Sequence, residues 1–277
     1  MMKHILKPAN LFTSASLFCG LYSVMVSAGA EPHEVGSFYT AALLIIFAGI
    51  FDGLDGRVAR LTNTQSDFGV ELDSLVDVVS FGVAPAVLLF KWGLEAYGRG
   101  GLLVAFLFTL CGVFRLARFN MEAHQATGEQ SPKKYTEGLT ITCAGGMVAV
   151  LVLHHAKIRA TEVDSHISVL LLTLLLSYLM ISTVGFRTFR EIRLSPLTIS
   201  MVAVGAAAMV AVLVVHDITL LLVVMGGTYI GSGLVEEAFS FTRARRSDDF
   251  YYLGDLDAEE DEDELEVEVE VDEEAPA

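Results

Sequence analysis

The sequence predicts an all-α protein, a polytopic membrane helical bundle of about eight transmembrane helices. Two observations carry that prediction. Hydrophobic residues make up 53% of the 277 residues, which is too apolar for an ordinary soluble domain. Apolar runs near the roughly 20 residues needed to cross a hydrocarbon core of about 30 Å recur along the chain.

The first run starts near Leu11 and lacks a small-residue cleavage site followed by a soluble domain, so it is expected to remain as the first span, 11–30. The second, 38–52, is short. Phe38 to Phe51 is 14 residues, about 21 Å at 1.5 Å per residue, so its helix is expected to continue through Asp52 and hold that acidic end near the headgroups. The third run, 71–93, opens on Asp73 and Asp77, and the fourth, 101–119, ends among Arg115, Arg118 and Asn120. Runs at 141–156, 166–184, 197–215 and 217–236 complete an even number, which puts both ends on one side. Cys19, Cys111 and Cys143 lie in apolar runs without CxxC spacing or a His partner, and they read as small packing residues.

Charge is distributed unevenly. The formal net charge is −16, yet 16 of the 34 acids and no base lie in 247–277, which leaves 18 acids against 18 bases before it. The chain therefore divides into a neutral membrane domain, 1–246, and an acidic tail, 247–277, whose like charges predict a solvated, disordered segment. Of the 18 Lys and Arg, 14 fall on the side shared by the termini, so both termini are expected to be cytoplasmic in a bacterial or archaeal cytoplasmic membrane. Nothing in the sequence calls for a nucleic acid.

The stretch "DGLDGRVARLTNTQSDFGVELDSLVD", 52–77, places Asp52, Asp55, Asp73 and Asp77 where two apolar runs meet. A carboxylate within a membrane segment costs about 2.5–3.5 kcal/mol on insertion scales, so four of them call for a compensating partner. Asp52 and Asp55 are three apart and Asp73 and Asp77 four apart, so on helices each pair shares a face, and two such faces on consecutive antiparallel helices can converge. An oxygen-only set suits Mg²⁺, Mn²⁺ or Ca²⁺ better than zinc. Gly53, Gly56 and Gly69 among the acids would allow close backbone approach to a ligand, and Arg60, on the face continuing from Asp52 through Gly56, would reach a phosphate. Taken singly these are weak signals: a lone DxxD seldom marks a metal, Gly53 or Gly56 alone reads as helix packing, and Arg57 or Arg60 as a positive-inside charge. Together they read as a metal-dependent diphosphate site.

The spacing of Asp52, Asp55-Gly56, Ala59-Arg60, Gly69, Asp73 and Asp77 resembles the signature of the CDP-alcohol phosphatidyltransferase family at every defining position. That resemblance implies an integral membrane enzyme that transfers a phosphatidyl group from CDP-diacylglycerol to an alcohol and releases CMP. It implies Asp52, Asp55 and Asp73 as ligands of Mg²⁺ or Mn²⁺, and Asp77 both near the metals and as general base. Asn10, Thr13, Gly56, Arg60 and Gly69 would bind CDP-diacylglycerol, and the enzyme would be a homodimer among membrane lipids.

"KPANLFTSASLFCG" at 7–20, "FRLARFNMEAH" at 114–124 and "ISTVGFRTFREIR" at 181–193 resemble the phosphatidylserine synthase branch of that family. "YTEGLTITCAGG" stands where the branch usually carries GLPxP. The branch implies L-serine as acceptor, and Arg115, Arg118 and Asn120 supply cationic and amide donors for its carboxylate. Other acceptors, namely glycerol phosphate, inositol phosphate or choline, would use the same chemistry. A membrane prenyltransferase would place its acidic clusters far apart, and a divalent-cation transporter would need acids near the midplane. The observed pattern fits neither well.

Overall fold

The computed structural model describes residues 7–31, 34–62, 64, 66–125, 135–158, 166–187, 219–231 and 233. Chain contacts divide the protein into Met1–Ile230 and Gly231–Ala277, and of the second unit only 231 and 233 are described. The helices are α1 (Pro8–Gly29), α2 (Val35–Leu61), α3 (67–97), α4 (Arg99–Gln125), α5 (Ile141–Ile158), α6 (His166–Ile181) and α7 (Thr219–Gly231). By length and composition α1 to α5 are able to cross a membrane, while α6 and α7 are shorter apolar helices. The expected all-α architecture is present. The expected span 197–215 and the acidic tail lie outside the described residues, and the span 217–236 meets α7 over 219–231. A short antiparallel ribbon, which the apolar runs do not signal, pairs β1 (Tyr135–Glu137) with β2 (Gly185–Arg187).

Packing is by small residues. The buried face of α1 carries Ala9, Thr13, Ser16, Gly20, Ser23 and Ser27 at three- and four-residue steps, opposite Ala41, Ala42, Ile45 and Ala48 of α2. Small side chains let backbones approach, and the Ser23 hydroxyl donates to the Ala41 carbonyl at 2.8 Å. Large apolar side chains such as Phe18, Leu103, Phe106 and Tyr178 point outward instead. That inversion suits hydrocarbon, where burying Leu or Phe brings little gain over leaving it among lipid tails.

Helix α2 continues past Asp52 to Leu61, as its short apolar run requires. The connection to α3 is short, because only 62–66 separate the two helices. Ser66 ends it by capping α3, its hydroxyl accepting from the Gly69 N–H at 3.3 Å. The Lys7 ammonium donates to the Thr64 carbonyl at 2.9 Å and ties the start of α1 to this turn.

Helix α3 is not uniform. Directly after Asp77 it widens into a π-helical turn, Val78–Val83, closed by the Ala84 N–H donating to the Val79 carbonyl. Pro85 comes next and brings no N–H to the turn before it. Gly145 of α5 fits against this wide turn: a Cβ there would stand 2.7 Å from the Phe81 carbonyl oxygen. On the opposite side α1 is equally close, since a Cβ on Gly20 would lie 2.7 Å from Ser80 Cα.

The starts of α1, α3 and α5 and the ends of α2, α4 and α6 gather at one end of the bundle. At the other end the His166 Nδ1 contacts the Gly93 carbonyl at 3.0 Å, and the Trp92 and His155 rings meet edge to face. Cys19 and Cys111 are buried as packing residues, but Cys143 is exposed in the first turn of α5 and departs from that expectation.

Candidate active site

The two acidic pairs converge where α2 ends and α3 begins. One carboxylate oxygen from each of Asp52, Asp55 and Asp73 lies within 4.8 Å of the others. The Asp73 and Asp77 carboxyl groups both come within hydrogen-bonding reach of that of Asp52. Acceptors therefore face acceptors, and Oδ1 of Asp73 and Oδ1 of Asp77 are buried without a hydrogen-bond partner among the described residues. Leaving buried polar oxygens unsatisfied costs about 1–3 kcal/mol each, and a cation between them removes that cost. The donor set is oxygen throughout, which fits a hard divalent cation.

Helix α1 supplies a second layer. The buried Thr13 hydroxyl donates to Oδ2 of Asp55 at 2.6 Å, a bond that fixes the orientation of that carboxylate. Asn10, one turn earlier and also buried, lies beside Gly69: a Cβ on Gly69 would be 3.7 Å from Asn10 Oδ1. Pro8 at the first position and the four-residue step from Ala9 to Thr13 set this face of α1 toward the acids.

Gly53 and Gly56 are exposed, and among the described residues no neighbouring group lies within 4 Å of where a Cβ would stand. Among those residues they pack against no other helix, which leaves space above them for a ligand. Arg60 is exposed in the last turn of α2 on the same side of the sequence pattern, beyond Gly56.

The fourth helix meets α3 in register. The Thr109 hydroxyl donates to the Gly82 carbonyl at 3.3 Å, and the Asn120 amide donates to the Ser74 hydroxyl at 3.1 Å. Between these contacts Arg115 is buried, within electrostatic range of Asp77, with its Nε unpartnered among the described residues and its guanidinium carbon 5.7 Å from the Phe119 ring centre. Arg118, one turn on, behaves differently. Its Nη1 donates to the Ile181 carbonyl at 3.3 Å and its Nη2 to the Ser182 carbonyl at 3.4 Å, at the end of α6.

Asp52, Asp55 and Asp73 thus come together with Asp77 within reach of Asp52, Arg115 lies within electrostatic range of Asp77, and Asn120 is anchored one residue from Asp73. Residues that sequence reasoning passed over are Ser66, Ser74 and Lys7. Ser66 was legible in principle as a Ser before an Asp and an apolar run, a helix-start signal. Ser74 and Lys7 act only through distant partners.

Comparison with known proteins agrees with this geometry. The family model described as CDP-alcohol phosphatidyltransferase matches residues 6–188. A CDP-diacylglycerol–serine O-phosphatidyltransferase of Helicobacter pylori is 38% identical over 184 residues, 66% of this chain and 73% of that protein. The protein of the same name from Bacillus subtilis is 34% identical over 182 residues, 65% of this chain and 90% of the relative. Its namesake from Methanocaldococcus jannaschii is 56% identical over 78 residues, 28% of this chain and 37% of that one. These matches leave no place for the prenyltransferase and transporter readings. The spaced motif, the convergence of its four aspartates and a match over most of the helical unit lead to one assignment: the chain belongs to the CDP-alcohol phosphatidyltransferase family of integral membrane enzymes.

Proposed function

We propose that the chain transfers the phosphatidyl group of CDP-diacylglycerol to the hydroxyl of L-serine, giving phosphatidylserine and CMP. The observation that carries this reading is a buried arginine, Arg115, within electrostatic range of Asp77 of the acidic cluster. A substrate whose hydroxyl reaches Asp77 while its carboxylate meets Arg115 is a small hydroxy acid. The relatives, CDP-diacylglycerol–serine O-phosphatidyltransferases by name, support serine as its identity.

Asp52, Asp55, Asp73 and Asp77 would hold Mg²⁺ or Mn²⁺, which when bound polarises the phosphoryl oxygens and offsets charge on the departing CMP. Thr13 orients Asp55. Gly56 leaves room for the cytidine diphosphate to lie against the α2 backbone, Arg60 meets its phosphates, and Asn10 and Gly69 line the same side. Asp77 accepts the serine hydroxyl proton as the oxygen bonds to the phosphorus carrying the diacylglycerol. The bond from that phosphorus to the bridging oxygen breaks, and CMP departs with the bridging oxygen and the electron pair.

The excess of Lys and Arg on the side of the termini supports a cytoplasmic orientation for the acidic end and for both termini, in a bacterial or archaeal cytoplasmic membrane. Purified enzyme given CDP-diacylglycerol, Mn²⁺ or Mg²⁺ and a panel of alcohols should release CMP with serine, and mass spectrometry should identify phosphatidylserine. Phosphatidylglycerophosphate or phosphatidylinositol phosphate as product, without serine-dependent CMP release, would overturn the acceptor.

A further inference from the structure

We infer that Arg118 is a positioning residue, which acts on the acceptor through the first turn of α5 and does not touch it. The inference rests on the reading of Arg115 as the carboxylate-holding group. Arg115 and Arg118 are one helical turn apart on α4 and look alike in sequence, yet their guanidinium groups have different surroundings. That of Arg118 lies on the last carbonyls of α6, Ile181 and Ser182. A helix C-terminus carries unsatisfied carbonyls and partial negative charge, so an arginine is well placed there.

The same point holds the start of α5. Gly138 has φ +74, and a Cβ on it would lie 2.7 Å from the Met180 carbonyl oxygen, 3.0 Å from Arg118 Nη2 and 3.0 Å from the Ser182 carbonyl oxygen. Its N–H donates to the Val184 carbonyl at 2.9 Å, and the Leu139 N–H donates to the Leu179 carbonyl at 3.0 Å. The ribbon of β1 and β2 continues this pairing outward, Glu137 opposite Gly185. Arg118 therefore staples the end of α4 to a joint where α6 finishes and α5 begins.

Leu139 leads directly into the first turn of α5. Thr140 caps that turn, its hydroxyl accepting from the Cys143 N–H at 3.2 Å. Ile141 then packs on Gly112 of α4, where a Cβ would be 2.5 Å from Ile141 Cδ1. Contacts at Gly112 and at Arg118 thus fix the start of α5 along α4 on both sides of Arg115. Cys143 of that turn lies within electrostatic range of Arg115, so releasing one of the two contacts shifts the turn and, through it, the position of the buried guanidinium.

The test is a double-mutant cycle on the purified full chain, with CMP release followed against serine and against CDP-diacylglycerol. Arg118→Ala and Gly138→Ala should each raise the serine KM about tenfold, while the KM for CDP-diacylglycerol changes less than about twofold. Because both act on one joint, the double variant should be no worse than about threefold beyond the weaker single. Arg118→Lys, which keeps one donor for the Ser182 carbonyl, should recover part of the loss, and it replaces Arg118→Ala in the cycle if that protein melts during purification. A double variant whose loss is the product of the single losses, or a Gly138→Ala enzyme with the wild-type serine KM, would overturn the inference and leave Arg118 as a direct ligand. Wild-type enzyme that releases CMP with another alcohol and not with serine would sink the serine reading instead, and the same cycle run with that alcohol would still decide the role of Arg118.

Discussion

Asp77 and its neighbours share a pocket but not a task. Asp77→Asn keeps the shape of the side chain and loses the basic oxygen, so turnover should fall about 10²–10⁴-fold with CDP-diacylglycerol binding retained. Single-turnover CMP release alongside a lipid-binding titration checks both halves; near-normal turnover at saturating metal would refute the assignment of the base. Asp52→Asn and Asp73→Asn should also shift the metal midpoint upward, because each removes a charged oxygen from the cluster. Thr13 touches no substrate in this scheme and still matters. Thr13→Val removes the 2.6 Å hydrogen bond that orients Asp55, and the apparent metal affinity should drop about 10–100-fold, the usual effect of losing a partner that orients a ligand. An unchanged Mn²⁺ midpoint in this variant would show that Asp55 needs no such support.

At the scale of elements, the wide turn of α3 decides how closely its neighbours approach. Gly145 and Gly146 are adjacent on α5, yet they predict opposite outcomes. A Cβ at Gly145 would stand 2.7 Å from a backbone oxygen of α3, whereas among the described residues nothing lies within 4 Å at Gly146. Gly145→Ala should therefore destabilise by about 1–3 kcal/mol through overpacking. Gly146→Ala should be neutral or gain up to about 1 kcal/mol from helix propensity. Thermal melts of both variants in one detergent give the comparison, and equal melting temperatures would count against the close approach.

For the whole molecule, the gathering of three helix starts and three helix ends at the acidic end sets which face meets soluble substrate. The turn at 62–66 belongs to that face, and a cysteine placed at residue 64 should label from the cytoplasmic side of sealed vesicles. Labelling only from outside would invert the topology. Deleting 248–277 removes a polyanionic stretch beyond the last apolar run, and the shortened enzyme should keep turnover in detergent within about twofold. A folded truncation with most of its activity gone would give the tail a catalytic part.

The sequence by itself determined the helical membrane class, the helices α1 to α6 and the acidic centre. These come from local rules: apolar runs of spanning length, the short second run that forces its helix past Asp52, and carboxylates at helical spacing that share a face. Tertiary structure decided what depends on partners distant in the chain. Arg115 and Arg118 are indistinguishable in sequence, and only the packing of α4 against α3 and α6 leaves one buried within electrostatic range of Asp77 and brings the other to the carbonyls of Ile181 and Ser182. Thr13 and Asp55 are 42 residues apart, so no local pattern announces their bond. The wide turn after Asp77 likewise escapes an apolar-run reading, because the run remains helical while its hydrogen bonds change step. Period and hydropathy are properties of a segment, whereas the direction of a guanidinium or a hydroxyl is settled by which acceptor the neighbouring helix brings within about 3 Å.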